Sequence, residues 1–216
     1  DDLALDHGYP MHLFVVAVPA LDRVWHLHPS MKGNGRFEHA LPTMPAGHYR
    51  LYADIVHRTG FPETLVAEVD LPETKDGKLG PDDSASGPPV EGWRMVRVDN
   101  QPLKARQAVR LGFALVDAKG NQATDLETYL GMPGHAAVLS KDGSVFAHLH
   151  PTGTVPMAAL VVATNNPHAG HYMGGSLPST VAFPYGFPKR GEYRMFVQLR
   201  RAGRVETGVF DLSVVQ

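Results

Sequence analysis

The residues best suited to chemistry sit in two short runs, Trp25-His26-Leu27-His28-Pro29 and Ala147-His148-Leu149-His150-Pro151. A third histidine precedes each run, His12 before the first and His135 before the second. Neutral imidazole is a good ligand for copper, zinc, nickel and iron, provided that the ring nitrogens converge to about 2.0–2.1 Å from one ion. Residues two apart on an extended strand point to the same side. The pairs His26/His28 and His148/His150 therefore each project from one face. A neighbouring antiparallel strand can bring up the third ring. The candidate metal ligands are thus His12, His26 and His28 in one set and His135, His148 and His150 in the other. The competing reading of the same residues is structural, with imidazoles bonding carbonyls at strand ends.

The elements that must position these rings read as strands. Asp2-Leu3 through Met11-His12 aligns without gaps on Asp125-Leu126 through Gly134-His135, and the offset shrinks by one residue before the HLHP pair. The repeat continues, with Ala46-Gly47-His48-Tyr49-Arg50 falling on Arg190-Gly191-Glu192-Tyr193-Arg194 and Glu63-Thr64 on Glu206-Thr207. Strands are expected at His12 to Val18, Arg23 to His28, Tyr49 to Val56 and Glu63 to Leu71, and again at Ala136 to Ser140, Ser144 to His150, Tyr193 to Arg200 and Val205 to Val214. No stretch carries apolar residues convincingly at helical spacing.

The chain is therefore expected to be all-β: two immunoglobulin-like β-sandwich domains from an internal duplication. Residues 1–72 form the first, 73–90 a Lys-, Asp-, Gly-, Ser- and Pro-rich linker, and 91–216 the second, with an inserted loop over 152–179. Trp93 to Asp99 and Gln107 to Asp117 have no upstream counterpart, so the first domain lacks its two opening strands. Its exposed face is expected to pack on the second domain or on another copy of the chain. A fragment of residues 91–216 should then fold alone and one of 1–72 should not.

Other residues have weaker patterns. Glu63 and Glu206 are candidate acceptors for the second N–H of a ligand imidazole, or edge carboxylates. Tyr49 and Tyr193 read as core packing or corner hydrogen bonds. His57, which aligns with Arg201, is a possible accessory of the first site. His168, His171 and Met173 are a possible accessory set in the inserted loop. Met11 and Met132 do not align with each other, which argues against a shared thioether ligand.

The absence of cysteine excludes thiolate metal sites, disulfides and thiol nucleophiles. A net charge of -2 offers no footprint for nucleic acid, and no apolar run reaches the ~20 residues of a membrane span. The chain opens at Asp1-Asp2 rather than methionine, which reads as a processed or trimmed product. No phosphate-binding loop, nucleophile elbow or HExxH motif occurs.

The blocks Met11-His12-Leu13-Phe14, Trp25 to Pro29, Leu51 to Thr64, Gly134-His135-Ala136, Ala147 to Pro151 and Phe183 to Pro188 together resemble an uncharacterised family of bacterial exported proteins. Its members carry the HLHP signature in one or two β-sandwich units and accompany heavy-metal handling systems. The resemblance covers nearly the whole chain. It implies an exported protein, periplasmic or secreted, and suggests that it handles a metal. The expected partners are a metal ion and a membrane metal transporter or a second copy of the chain. The missing opening strands depart from the family's two-domain pattern. The expected function is transition-metal binding, copper first and zinc second. Two other classes stay open: a structural or interaction module whose histidines are internal hydrogen-bonders, and a metal-dependent enzyme with the 152–179 insertion shaping a substrate pocket.

Overall fold

The computed structural model describes residues 2–87 and 90–216 and resolves into two compact units. The first runs to Ala85 and also takes in Pro156–Gly170; the second comprises Ser86–Val155 and His171–Gln216. The protein is all-β apart from one helix among the described residues.

The first unit contains β1 (His12–Ala17), β2 (Val24–Leu27), β3 (Ser30–Gly33), β4 (Arg36–Glu38), β5 (Gly47–Val56), β6 (Pro62–Leu71) and β7 (Ser84–Ala85), with α1 (Met157–Thr164). Its sheet runs β6-β5-β1-β2-β7, and β3 and β4 form a separate ribbon. The second unit contains β8 (Trp93–Arg97), β9 (Leu103–Lys104), β10 (Ala108–Asp117), β11 (Leu126–Glu127), β12 (His135–Ser140), β13 (Phe146–Leu149), β14 (Val181–Gly186), β15 (Gly191–Arg201) and β16 (Arg204–Val215). One sheet runs β14-β10-β8, the other β13-β12-β15-β16-β9 with β11 beside β15.

The two large sheets share one plan. In the first, β1 lies between β2 and β5, and β5 pairs β6; in the second, β12 lies between β13 and β15, and β15 pairs β16. The registers agree residue by residue. Phe14 faces His26 and Tyr52, as Ala137 faces His148 and Phe196. Ala17 faces Tyr49 as Ser140 faces Tyr193, and Thr64 faces Asp54 as Thr207 faces Gln198. Each tyrosine hydroxyl donates to the carbonyl four residues upstream, Tyr49 to Pro45 at 2.6 Å and Tyr193 to Lys189 at 2.8 Å. That bond is the tyrosine corner of immunoglobulin-like sandwiches.

Paired residues on antiparallel neighbours share a face. In the second unit Ala136, Val138, Leu149, Met195 and Val197 face inward and meet Leu111, Phe113, Val181 and Phe183 of the other sheet in one core. This is a closed sandwich, built by the strands that sequence marks as additional, β8 and β10. Among the described residues of the first unit no second three-stranded sheet is present. Its equivalent face, with Val15, Trp25, Leu27 and Tyr49, is capped instead by Met44 and Leu41.

The structure differs from the sequence expectation in two places. Residues 73–85 are not a linker. Thr74 bridges Met44, the Thr43 amide donates to the Gly77 carbonyl, and β7 pairs β2. At Gly77 an added Cβ would collide with the Leu41 carbonyl oxygen, so this glycine marks a close approach of two backbones. Residues 88 and 89 of the expected linker lie outside the described residues. The second difference is the 152–179 insertion, which holds α1 rather than an irregular loop throughout. Met-Ala-Ala-Leu-Val-Val-Ala-Thr is apolar all round and only eight residues long, so it carries no amphipathic signal.

Removing one corner bond isolates its worth. Tyr193→Phe should destabilise the protein by about 1 kcal/mol, the usual net value of one hydrogen bond. Urea unfolding should show a lower midpoint at unchanged slope.

Candidate metal centre

In both units the histidines occupy the face of the sheet opposite the core residues just described. His12 opens β1, His26 lies inside β2, and His28 follows the last residue of β2. Pro29 ends the pairing, as a residue with no N–H must. All three are buried, with exposures of 1%, 0% and 8%. One nitrogen from each lies within 4.8 Å of the others. Ring centroids are 5.1 Å apart for His12–His26, 4.9 Å for His12–His28 and 4.6 Å for His26–His28.

Hydrogen bonds assign the protons. His12 Nε2 lies 3.1 Å from the Asp6 carbonyl, which can only accept, so Nε2 carries the hydrogen and Nδ1 the lone pair. That lone pair faces His26 Nε2 at 2.9 Å. His28 Nδ1 lies 3.1 Å from Asp83 Oδ1, a carboxylate that also only accepts. The free lone pair of His28 is therefore on Nε2, which is buried and has no hydrogen-bond partner among the described residues. Burial pushes the His12 pKa well below its ordinary value, and the neighbouring His26, His28 and His7 add to this against the Asp6 carbonyl. His12 is accordingly a neutral imidazole with a lone pair to give.

Asp83 is the residue that sequence reasoning missed. It lies just before β7 and is tied down on both oxygens. The His28 amide donates to Oδ1 at 3.0 Å, the Gly80 amide to Oδ2 at 2.8 Å, and His39 Nε2 lies 3.1 Å from Oδ2. Burial pushes its pKa up, but the bonds from His28 and Gly80 and the charge of His39 outweigh it and hold the carboxyl below its usual range. No spacing signal pointed to Asp83, because Gly80 to Ser86 has the composition of a loop. The Asp6 segment was visible only as the strand-free start of the repeat. Its carbonyl holds His12, while Asp6 Oδ1 accepts from the Ala158 amide at 2.7 Å at the start of α1. The residue flanking that helix, Pro156, makes no side-chain cap, so Asp6 supplies the acceptor from elsewhere in the chain. Asp54, the cross-strand neighbour of His12, is pushed up to about 6 by burial, with the Thr64 hydroxyl opposing and Asp6 reinforcing.

The second triplet shares the contacts of the first two rings. His135 Nε2 lies 3.1 Å from the Tyr129 carbonyl and Nδ1 3.2 Å from His148 Nε2. Ring centroids are 5.4 Å apart for His135–His148, 5.0 Å for His135–His150 and 4.4 Å for His148–His150. Burial pushes the His150 pKa down to about 4, against a hydrogen bond to the Val155 backbone.

The remaining sequence candidates fall elsewhere. Glu63 accepts from His57 Nε2 at 2.9 Å, while Asp2 takes His57 Nδ1 at 2.9 Å. With both nitrogens donating to carboxylates, His57 offers no lone pair to an ion. Arg201 and Asp125 form the matching pair in the second unit at 2.6 Å. Glu206 receives the Val90 amide at 3.4 Å. The carboxylate behind a triplet imidazole is Asp83, not either glutamate. His168 lies in the first unit, and His171 and Met173 in the second, with Met173 well exposed.

The bonds from His57 to Glu63 and Asp2 raise its pKa above the ordinary 6.5. Stability from this pair is therefore present below pH 6.5 and lost as pH rises through the raised value. NMR titration should find His57 titrating above 6.5, and Glu63→Gln should bring it down.

No curated protein matches this sequence. A family model described as a domain of unknown function, DUF8832, matches residues 89–216, the stretch that carries the second triplet. With more than half of its length matched, the chain belongs to the DUF8832 family.

Proposed function

We propose that the protein binds a transition-metal ion, copper first and zinc second, through His12, His26 and His28, with His135, His148 and His150 as a second site. The observation that carries this reading is His28 Nε2. A buried polar atom is ordinarily satisfied, yet this nitrogen has no hydrogen-bond partner among the described residues and belongs to a ring 4.6–4.9 Å from two others. Nitrogen-only donors suit Cu(II) or Zn(II), and burial keeps His12 neutral. Asp83 behind His28 is the carboxylate–imidazole partnership common at metal sites. An exported location and a partner among metal-handling proteins belong to the same reading, and rest on the repeated HLHP signature. No helix among the described residues is long and apolar enough to cross a membrane.

A second reading has its own observation. His12 Nδ1 and His26 Nε2 are 2.9 Å apart, a direct hydrogen bond if His26 Nε2 carries a proton. In that case the triplet is an internal hydrogen-bonding device of an interaction module. The two readings demand different His26 tautomers. Ligation through Nε2 requires the proton to sit on Nδ1, whereas the structural bond requires it on Nε2.

The test is metal analysis of untagged protein, with and without chelator, beside His28→Ala. The expected outcome is stoichiometric copper or zinc in the wild type and loss of the first-unit equivalent in the variant. Metal at 100 times its Kd should add about 2.7 kcal/mol to stability, and 15N shifts should move the His26 proton to Nδ1. Equal destabilisation of His28→Ala with and without metal, with no metal uptake by either protein, would establish the structural reading.

A further inference from the structure

The two triplets match at their first two rings and differ at the third. His12 and His135 each donate Nε2–H to a carbonyl at 3.1 Å and turn Nδ1 toward the next histidine at 2.9 and 3.2 Å. His28, however, is held from two sides by groups that the second unit replaces. Behind it stands the Asp83 carboxylate, delivered by the segment leading into β7, the strand that closes the β2 edge. In the second sheet β13 is the terminal strand at that edge, and no described strand takes the place of β7 beside it. Over the His28 ring lies Tyr9, with centroids 4.2 Å apart and its hydroxyl donated to Asp82 at 2.5 Å. Tyr9 bridges Asp6 where Met132 bridges Tyr129, so the position equivalent to Tyr9 is a thioether with no such anchor.

These differences bear on binding. A carboxylate on the far nitrogen fixes the tautomer, orients the ring and raises the basicity of the ligating nitrogen, and its loss costs typically 10–100-fold in metal affinity. A ring packed against a tyrosine also has less freedom to lose on ligation.

We propose that the two triplets are metal sites of unequal strength, the first filling before the second, with Asp83 the positioning residue that sets the difference. This rests on the metal-binding reading of both triplets. An ion arriving at sub-stoichiometric concentration goes to the first unit, and the second responds only when supply is higher. The chain then reports two ranges of free metal through one repeated motif.

The experiment is a titration of the full chain with Cu(II), followed by calorimetry and by electron paramagnetic resonance. Asp83→Asn, Tyr9→Phe and His150→Ala are run beside the wild type. The wild type should fill in two steps with two distinguishable signals. His150→Ala should remove the weaker step and leave the stronger. Asp83→Asn, close in shape but uncharged, should weaken the stronger step 10–100-fold and change its hyperfine signal while the second site's signal is retained. Asp83→Glu, which restores the charge, should recover part of the loss. Melting of each variant without metal separates a folding defect from a change at the site. Two equal steps, loss of the stronger step in His150→Ala, or unchanged affinities in Asp83→Asn would each overturn the inequality. No copper uptake by the wild type would instead end the metal-binding reading itself.

Discussion

Each triplet is governed by one constraint: three imidazoles in contact inside protein, each with two nitrogens to satisfy. Water is excluded, so every N–H needs an acceptor and every lone pair a donor or an ion. Much of the local structure follows from that demand. The Asp6 and Tyr129 carbonyls take the hydrogens of His12 and His135. The Asp83 carboxylate takes that of His28, and positioning Asp83 requires β7 to pair with β2 and Gly80 to hold the other oxygen. A neutral His12 lowers the cost of burial, since charged imidazolium groups at this spacing would repel one another in a low-dielectric setting. A sheet face that would ordinarily hold aliphatic side chains is thereby committed to polar atoms. Phe14, stacked on His26 at 4.2 Å, seals part of it with an aromatic surface.

How far this was legible in the sequence depends on the range of the determinant. The triplets were readable because strand periodicity is two and the motif is written twice, and the same duplication fixed the registers of Tyr49 with Tyr193 and of Asp2–His57 with Asp125–Arg201. Asp83 was not readable. It lies in a stretch whose glycines, serines and aspartates have the composition of a solvated linker, and its role depends on a long-range approach to His28. Gly77 conveys the same lesson, since only the close backbone of Leu41 and Pro42 gives it meaning. α1 escaped because its eight residues are too few and too uniformly apolar to show a period. The glutamates Glu63 and Glu206 were attractive by alignment, yet alignment places them equivalently without placing them near the imidazoles.

The unequal completion of the two sheets has a physical logic too. In the second unit, β8, β10 and β14 supply a full apolar layer, and the sandwich core includes Phe113, Phe183 and Met195. In the first, a loop carrying Met44 and Leu41 does part of that work. The shared sheet with its triplet is thus compatible with two different supports behind it. What the two sheets share is the strand plan and its histidine positions; what differs is the surrounding scaffold.

The helix contributed by residues 156–170 also affects the order of events at the ribosome. Asp6 waits for Ala158, a partner 152 residues away in the chain. Closing so long a loop costs little more than closing one half as long, because the entropy grows only logarithmically. Time is the larger effect. The interval between the emergence of Ala85 and that of Gly170 is several seconds at about 5–20 residues per second. During it the nascent first sheet carries a carboxylate whose helix does not yet exist. Final locking of the first unit is therefore a late event in synthesis, although its strands are made first.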